Sequence, residues 1–267
     1  MKYTFLVLLI AFALFSSCEW GVPAKKDSGI FTDTLIYQYK TIEERDTNCG
    51  KGKDSACTHA VIQYPEFGEQ QKLNDSIEKK LLIMFAMDDK ADSSLQAYAR
   101  NILVKFRDFK KDFPEAKMYF ELESHAKVLH QDSGIVAIEV SGYTFQGGAH
   151  GASYTGFINW DTKANKEFKL SDILIDNYKD SLTRVAEKIF RKQEMLSDTA
   201  SLARDYFFTN DKFALNDNFM ITPIGLKFLY NQYEIKPYAA GQTELLIPYA
   251  QIKPLIRRNT AVAQYVK

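Results

Sequence analysis

The sequence has little cysteine, no net charge and no long apolar run beyond its N-terminus. It contains 3 cysteines, and 34 Lys and Arg residues balance 34 Asp and Glu residues. The basic residues are scattered, so the sequence predicts no basic face that could displace counterions from nucleic-acid phosphates. Beyond the N-terminus, no apolar run reaches the roughly 20 residues that a membrane-spanning helix needs. We therefore expect a globular protein with no nucleic-acid partner.

Sequence motifs of several hydrolase classes are also missing. The chain contains no HExxH and no GxSxG, which would mark a zinc protease or a serine hydrolase. Asp161, Asp172 and Glu234 are candidate acids, but their spacing does not pair them as the two carboxylates of a glycosidase are paired. The sequence therefore predicts no catalytic residue, no metal site and no cofactor.

The N-terminus has the pattern of an export signal. Lys2 precedes the apolar stretch Phe5–Phe15, and Ser16 and Ser17 are followed by Cys18. This pattern predicts a signal peptide over 1–17, and the position of the cysteine resembles a bacterial lipobox. A diacylated Cys18 would anchor the chain to a membrane, followed by a tether over 18–30. The alternative is an ordinary cleaved signal with an incidental cysteine. Either way we expect the bacterial cell envelope, on its periplasmic or surface side.

The two remaining cysteines are predicted to form a disulfide. Cys49 and Cys57 flank a loop of Gly, Lys, Asp and Ser, with strand patterns on both sides. In an oxidising compartment an even pair of cysteines indicates a bridge, here at the tip of a hairpin. A metal site is the alternative, but two thiols with only His59 nearby in sequence make an incomplete ligand set.

The rest of the chain alternates between helical and strand patterns. Apolar residues recur at helical spacing over 69–87 and 94–113, and Pro114 ends the second helix. In Ile135–Phe145 alternate residues face opposite sides of a sheet, which is typical of antiparallel strands with one covered face. The pattern predicts an α+β fold of antiparallel sheets covered by helices. The aromatic stripe of the second helix is interpreted as core, although such a stripe could also line a ligand groove.

A glycine-rich segment, Gln146–Gly151, interrupts the strands and contains His150. We interpret it as a crossover between two subdomains, over 31–145 and 146–260. His150 is expected to hydrogen-bond a backbone group and fix this crossover; the alternative is a general base or metal ligand. His125 and His130 are expected to lie on opposite faces of one strand, where they cannot share an ion without a bulge.

Several segments of the chain carry a family resemblance. GGAHG, then FKLSDIL, then FMITPIGLKFLYNQYEIKPYAAGQTELLIPYAQI resemble the extracytoplasmic module of the lysozyme-sensing anti-sigma factors, a DUF4163-like half followed by a DUF3298-like half. The resemblance implies an α+β fold and a role at the cell envelope. The candidate binding or structural residues in the matching segments are Gly147, Gly148, His150, Gly151, Tyr233, Tyr238 and Gly241.

Two classes of function follow from the sequence. The first is a non-catalytic binding module that recognises a protein such as lysozyme or a cell-wall glycan, favoured by the resemblance, by 15 Tyr and 19 Phe residues and by the missing catalytic motifs. The second is a hydrolase of cell-wall or glycan material that uses His150. We favour binding over catalysis.

Overall fold

The computed structural model describes residues 34–47, 49, 57–86 and 91–266, which belong to one compact unit, Thr34–Lys267. The predicted signal peptide, Cys18 and most of the predicted disulfide loop lie outside the described residues. The disulfide itself is confirmed, because the sulfur atoms of Cys49 and Cys57 are bonded. Within the described residues, no helix is both long and apolar enough to cross a membrane.

The larger of two sheets has six strands in the order of the chain. They are β1 Tyr37–Arg45, β2 His59–Phe67, β3 Glu121–Gln131, β4 Ile135–Phe145, β5 Ala152–Asp161 and β6 Lys166–Glu167. All neighbours are antiparallel except β2 and β3, which run parallel. The expectation of purely antiparallel sheets is therefore wrong at this pair. The reason is the helical connection between them, which carries the chain from the end of β2 back to the end of the sheet where β2 began.

That connection consists of two helices, α1 Gln71–Ile83 and α2 Leu95–Asp112, close to the predicted ranges. The side chain of Ser94 caps α2 by accepting a hydrogen bond from the backbone N–H of Ala97. Both helices pack on one face of the large sheet, which we call the inner face. The aromatic stripe of α2 belongs to this core, as predicted. Large members of the core are Ile62, Leu73, Ile77, Leu81, Ile102, Phe106, Leu122, Ile138 and Ile158.

The C-terminal part builds a second core around a three-stranded antiparallel sheet. Its elements are α3 Leu170–Ile173, α4 Tyr178–Gln193, β7 Phe219–Thr222, β8 Gly225–Tyr230, β9 Thr243–Pro248 and α5 Tyr249–Ile252. The terminal helix α5 is followed by a 3-10 turn over Lys253–Leu255. Pro254 explains why the α-helix ends there, since proline has no N–H to continue it. An α+β fold with helices on sheets is confirmed.

The outer face of the large sheet is covered at one end only. At what we call the packed end, Ala137 and Phe157 form a small core with Met220 and Leu229 of the smaller sheet. At the opposite end, the open end, the outward residues of β3, β4 and β5 are exposed or half-buried. They are Glu123, His125, Ser141, Tyr143, Ser153 and Thr155.

Three asparagine side chains join β5 to the smaller sheet. The amide of Asn159 bonds both the carbonyl of Phe219, at 2.8 Å, and the N–H of Ile221, at 2.7 Å. Asn231 bonds the N–H and the carbonyl of Thr155, at 2.8 and 3.0 Å. Asn218 also donates to that carbonyl. Asn218 and Asn231 thus satisfy backbone groups along the free edge of β5 in place of a further strand, and Asn159 of β5 does the same for backbone groups of β7.

The glycine-rich segment connects neighbouring strands of one sheet. β4 and β5 are paired from Ile135 with Asp161 to Thr144 with Ala152, and Gln146–Gly151 lie between them. The segment is therefore a hairpin connection and not a crossover between sheets. The predicted boundary after residue 145 falls within this connection.

A β-bulge changes the placement of two histidines. Val128 of β3 pairs with Ile138, but His130 pairs with Ala137. The extra residue turns His130 to the outer face, where His125 also lies. The expectation of opposite faces is therefore wrong.

The C-terminal segment docks at the packed end through Asp132. The hydroxyl of Tyr265 donates a hydrogen bond to this carboxylate, and His130 lies beside both groups. Burial alone would raise the pKa of Asp132, but hydrogen bonds from Tyr265 and from the N–H groups of Gly134 and Ile135 lower it below its usual value. The charged carboxylate therefore stabilises the docked C-terminus.

Candidate binding site

A cleft of about 400 Å³ lies on the open end of the outer face. Strands β3, β4 and β5 form its floor, and the segment between β8 and β9 forms a wall. Its lining is mostly hydroxyl, amide and aromatic: Glu123, His125, Ser141, Gly142, Tyr143, Ser153, Tyr154, Thr155, Gln232 and Gln242. A polar cleft on a rigid sheet suits a polar ligand.

Tyr143 is the tyrosine whose side chain faces the cleft. Desolvation by burial raises the pKa of its phenol above the ordinary tyrosine value, and the nearby carboxylate of Glu121 raises it further. Tyr154 lines the cleft with its backbone, because its ring points to the inner face, where its hydroxyl lies close to Gly156 and Lys80.

The glycine-rich connection borders this cleft and depends on its glycines. Gly147 and Gly148 have φ angles of 96° and 95°, a region that residues with a Cβ rarely adopt. Gly151 is buried, and a Cβ there would lie 2.4 Å from the ring of Tyr143. The glycines thus allow Tyr143 to pack directly on the backbone of the loop.

His150 stands at the exposed tip of the same loop. Its Nδ1 lies 2.9 Å from the carbonyl oxygen of Gly151, so Nδ1 carries the proton and donates. Its Nε2 then accepts a hydrogen bond from the Tyr233 hydroxyl, at 3.2 Å. The ring also stacks on Tyr238, with centroids 4.0 Å apart and planes inclined by 17°. His150 does bond a backbone group, as expected, but that group belongs to its own loop. The residues that it contacts from elsewhere in the chain are the side chains of Tyr233 and Tyr238.

Tyr233 is held in an unusual backbone conformation. Its φ of 65° is in the left-handed region, which a bulky residue with a Cβ adopts at a cost of about 1 to 3 kcal/mol. Tyr233 is 58% exposed, so packing in the core does not account for the strained backbone. The left-handed conformation places the Tyr233 ring beside the Tyr238 ring, with centroids 5.5 Å apart. We call His150, Tyr233 and Tyr238 the aromatic cluster.

Two glutamines connect the aromatic cluster to the cleft. Gln242 follows Gly241, whose φ is 70°, and donates hydrogen bonds to Thr155 Oγ1 and Asn231 Oδ1 at 3.1 and 3.0 Å. Gln232 precedes Tyr233, and its buried side-chain oxygen has no hydrogen-bond partner among the described residues. Because an unpaired buried acceptor is costly, this oxygen is a natural acceptor for a donor on a ligand.

The three candidate acids are occupied in local turns. Asp161 accepts hydrogen bonds from the N–H groups of residues 163 and 164. Asp172 caps α3 and bonds Lys166. Glu234 bonds the N–H of Asn231 and the amide of Asn216. Among the described residues, no hydrogen bond joins any of these three carboxylates to His150.

The structure brings His150, Tyr233 and Tyr238 into contact and places Gly147, Gly148, Gly151 and Gly241 in the loops that carry or border them. Sequence reasoning missed the cleft itself and its amides, Gln232 and Gln242. Both glutamines lie in the NQYEIKPYAAGQ stretch that carries the family resemblance. Their proximity in sequence to Tyr233 and Tyr238 could have identified them as candidate binding residues.

Family models match two parts of the chain. The model described as "Protein of unknown function (DUF3298)" matches residues 171–250, and the model described as "Deacetylase PdaC" matches residues 51–153. The cleft and the aromatic cluster combine residues of both regions. No curated protein matches the chain.

Solved structures extend the similarity over most of the chain. A DUF3298 family protein from Pseudomonas aeruginosa PAO1 is 27% identical with a TM-score of 0.66, over 84% of this chain and 95% of that one. A DUF3298 family member from Bacteroides fragilis NCTC 9343 shares the fold at 22% identity, with a TM-score of 0.65, over 87% of this chain and 98% of that one. The resemblance to DUF3298 is thereby confirmed; those to DUF4163 and to the anti-sigma factors stay predictions.

Proposed function

We propose that the chain is a non-catalytic binding module of the bacterial cell envelope, and that its ligand is a cell-wall glycan. The observation that carries this proposal is the exposed aromatic cluster beside a polar cleft in which no acid is poised against His150. Exposed tyrosines and free amide groups suit recognition, whereas hydrolysis needs positioned proton donors and acceptors.

The chemistry of the surface favours a carbohydrate. The rings of Tyr233 and Tyr238 offer flat faces on which the C–H face of a sugar stacks, and tyrosine loses little conformational entropy on binding. The oxygen of Gln232 accepts a hydrogen bond from a sugar hydroxyl or acetamido N–H. The volume of about 400 Å³ lies within the range of small-ligand sites.

A protein ligand is the alternative within the same class. Exposed tyrosines are enriched in protein interfaces, and the resemblance to lysozyme-sensing modules points to lysozyme. Polar groups recessed in a cleft favour a small ligand over a flat protein surface. A direct comparison of the two ligands separates these possibilities.

The match to a deacetylase family supports an alternative function, in which the chain is a hydrolase of cell-wall or glycan material and His150 is its general base. The hydrogen bond from Tyr233 to Nε2 argues against this role, because it occupies the lone pair that would accept a proton. A muropeptide digest with the wild type and His150→Ala tests it. We expect unchanged muropeptides with both proteins. Hydrolysis or deacetylation by the wild type that the variant lacks would contradict a binding-only function.

The binding proposal is tested by titration calorimetry with the full chain, using purified muropeptides and lysozyme as separate ligands. Tyr238→Ala removes the ring stacked on His150, and we expect it to weaken muropeptide binding at least tenfold. Tyr39→Ala is the control, because it removes another tyrosine ring, 45% exposed, on a strand distant from the cleft. Equal affinities of Tyr238→Ala and the wild type would overturn the proposal. Binding of lysozyme alone, weakened by Tyr238→Ala, would identify a protein ligand.

We also propose that the module is held at a membrane by a lipid on Cys18. The support is the lipobox-like sequence, in which Cys18 directly follows the predicted signal peptide. Cys18→Ala is expected to move the protein from the membrane fraction to the soluble fraction. Retention of this variant in the membrane fraction would refute lipid anchoring.

A further inference from the structure

A second cluster of chemically active side chains lies where β2 and β3 run parallel. His59 is the first residue of β2 and pairs with Glu121, the first residue of β3. Nε2 of His59 lies 3.8 Å from Glu121 Oε1 and 3.7 Å from Glu123 Oε1. One ligand atom from each residue lies within 4.8 Å of the others.

The imidazole of His59 is oriented by a backbone carbonyl. Its Nδ1 lies 3.0 Å from the carbonyl oxygen of Cys57, so Nδ1 carries a proton and donates it in this bond. Nε2 is left facing two carboxylates. The three ligand atoms point toward one position and together attract a cation there. A backbone carbonyl bonded to the second ring nitrogen is also the usual support of a metal-binding histidine.

The backbone around His59 is fixed from both sides. Its N–H donates to the carbonyl of Phe120 at 3.1 Å, and the hydroxyl of Thr58 accepts from the N–H of Phe120 at 3.0 Å. Cys57, whose carbonyl orients the ring, is buried and bonded to Cys49. The disulfide therefore fixes the segment that aims the imidazole, and strand pairing fixes the two glutamates opposite it.

We propose that His59, Glu121 and Glu123 bind a divalent transition-metal ion such as Zn²⁺, with water completing its coordination. One imidazole nitrogen and two carboxylates form a mixed donor set that suits zinc and its neighbours, whereas Mg²⁺ and Ca²⁺ prefer oxygen donors alone. The site shares Glu123 with the edge of the cleft but contains no residue of the aromatic cluster, and it does not depend on the proposed binding function.

The distances fit this ion after a small adjustment. Bonds of about 2.0 to 2.2 Å in tetrahedral geometry place ligand atoms about 3.3 Å apart. Nε2 of His59 now lies 3.8 and 3.7 Å from the two glutamate oxygens, and all three atoms lie within 4.8 Å of one another. Glu123 has a side chain 49% exposed and is free to move by this amount, while His59, 12% exposed, holds its place.

The test is a zinc titration of the full chain without a histidine tag, after treatment with a chelator. Cys18→Ala serves as the background, so that the N-terminal thiol does not compete for metal. We expect one ion per chain by calorimetry. His59→Gln and Glu121→Gln should each lower the affinity at least 100-fold. Co²⁺ should give visible absorption bands in the background protein, and His59→Gln should abolish them.

The matched control is His125→Gln, because His125 lies on the same face of β3, two residues beyond Glu123, and outside the proposed ligand set. It should bind zinc as the background protein does. Circular dichroism checks that every variant is folded, and zinc should raise the melting temperature of the background protein but not that of His59→Gln. No zinc binding by the folded background protein would overturn the proposal, as would equal binding by His59→Gln.

Discussion

The two ends of the outer sheet face are built on the same strands but differ in burial: one is covered by the smaller sheet and the other is open. At the packed end Ala137, Phe157 and Asn159 are at most 3% exposed, because β7 and β8 of the smaller sheet lie against them. At the open end Ser141 and Tyr143, further along β4, are only half-buried. Alternation along a strand therefore predicts which residues share one face of the sheet. Whether a further element covers that face depends on how apolar those residues are.

The asparagine contacts mark the border between the two ends. Asn218 and Asn231 satisfy the free edge of β5, so that edge offers fewer unpaired groups to a further strand. This border also sets the position of the segment that carries Tyr233 and Tyr238. The packed end thus holds the open end in a defined shape, and substitutions at the two ends should differ in kind.

The largest effect is expected at the packed end, for Asn159→Ala. This change leaves the carbonyl of Phe219 and the N–H of Ile221 without their partner in a buried environment, which should lower the free energy of unfolding by about 2 to 4 kcal/mol. Urea denaturation measures the loss. Ser153→Ala, at the open end, is the control and should change stability by less than about 0.5 kcal/mol. Similar small losses for both variants would remove the distinction between the ends.

A smaller effect is expected for Asp132→Asn, which weakens the docking of the C-terminus. Several hydrogen bonds lower the pKa of Asp132 in the folded protein below the ordinary value of 3.8. The charged form therefore contributes stability above about pH 4, and this contribution is lost as the pH falls through the lower folded pKa. Since the carboxylate is partly exposed, the loss near pH 7 should be about 1 kcal/mol.

Urea unfolding at several pH values measures this difference. The stability of the wild type and that of Asp132→Asn should converge below about pH 4. Asp108→Asn is the control, because the side chain of Asp108 is 62% exposed and pairs with Lys111 on the surface of α2. A gap that is the same at pH 3 and pH 7 would contradict the role of the charged carboxylate.

The smallest effect on stability is expected at the open end, for Tyr233→Asn. Asparagine tolerates the left-handed backbone better than tyrosine does, so melting experiments should show a change within about 0.5 kcal/mol, toward higher stability. Muropeptide affinity should nevertheless fall about tenfold, because a ring of the aromatic cluster is lost. The same change at Tyr39, on a regular strand, should lower stability and leave affinity unchanged. A large loss of stability in Tyr233→Asn would indicate that the ring supports the fold.

Local patterns in the sequence predicted most of the elements. The spacing of apolar residues predicted α1 and α2 to within a few residues at each end, and the alternation in Ile135–Phe145 predicted both faces of β4. The disulfide followed from the number of cysteines and the expected compartment. In each case the determining interactions lie within about one element or one hairpin.

Long-range pairing was not predictable in the same way. The incomplete ligand set around His59 gains Glu121 and Glu123 only because β2 and β3 are parallel neighbours. The bulge in β3 depends on pairing with β4, and it turned His130 to the unexpected face. The contact between His150 and Tyr238 depends on how the smaller sheet packs at the packed end. These features depend on tertiary contacts, which a single sequence does not contain.

The parallel pair β2 and β3 also determines when the sheet can be completed. Thr58 and Phe120, which bond at the start of this pair, are 62 positions apart in the chain. At synthesis rates of roughly 5 to 20 residues per second, β2 is made about 3 to 12 s before its partner. The hairpin of β1 and β2 has low contact order and can close early, whereas the centre of the sheet must await a distant strand. We therefore expect the exposed edge of β2 to be the place where a nascent chain is most prone to misassociate.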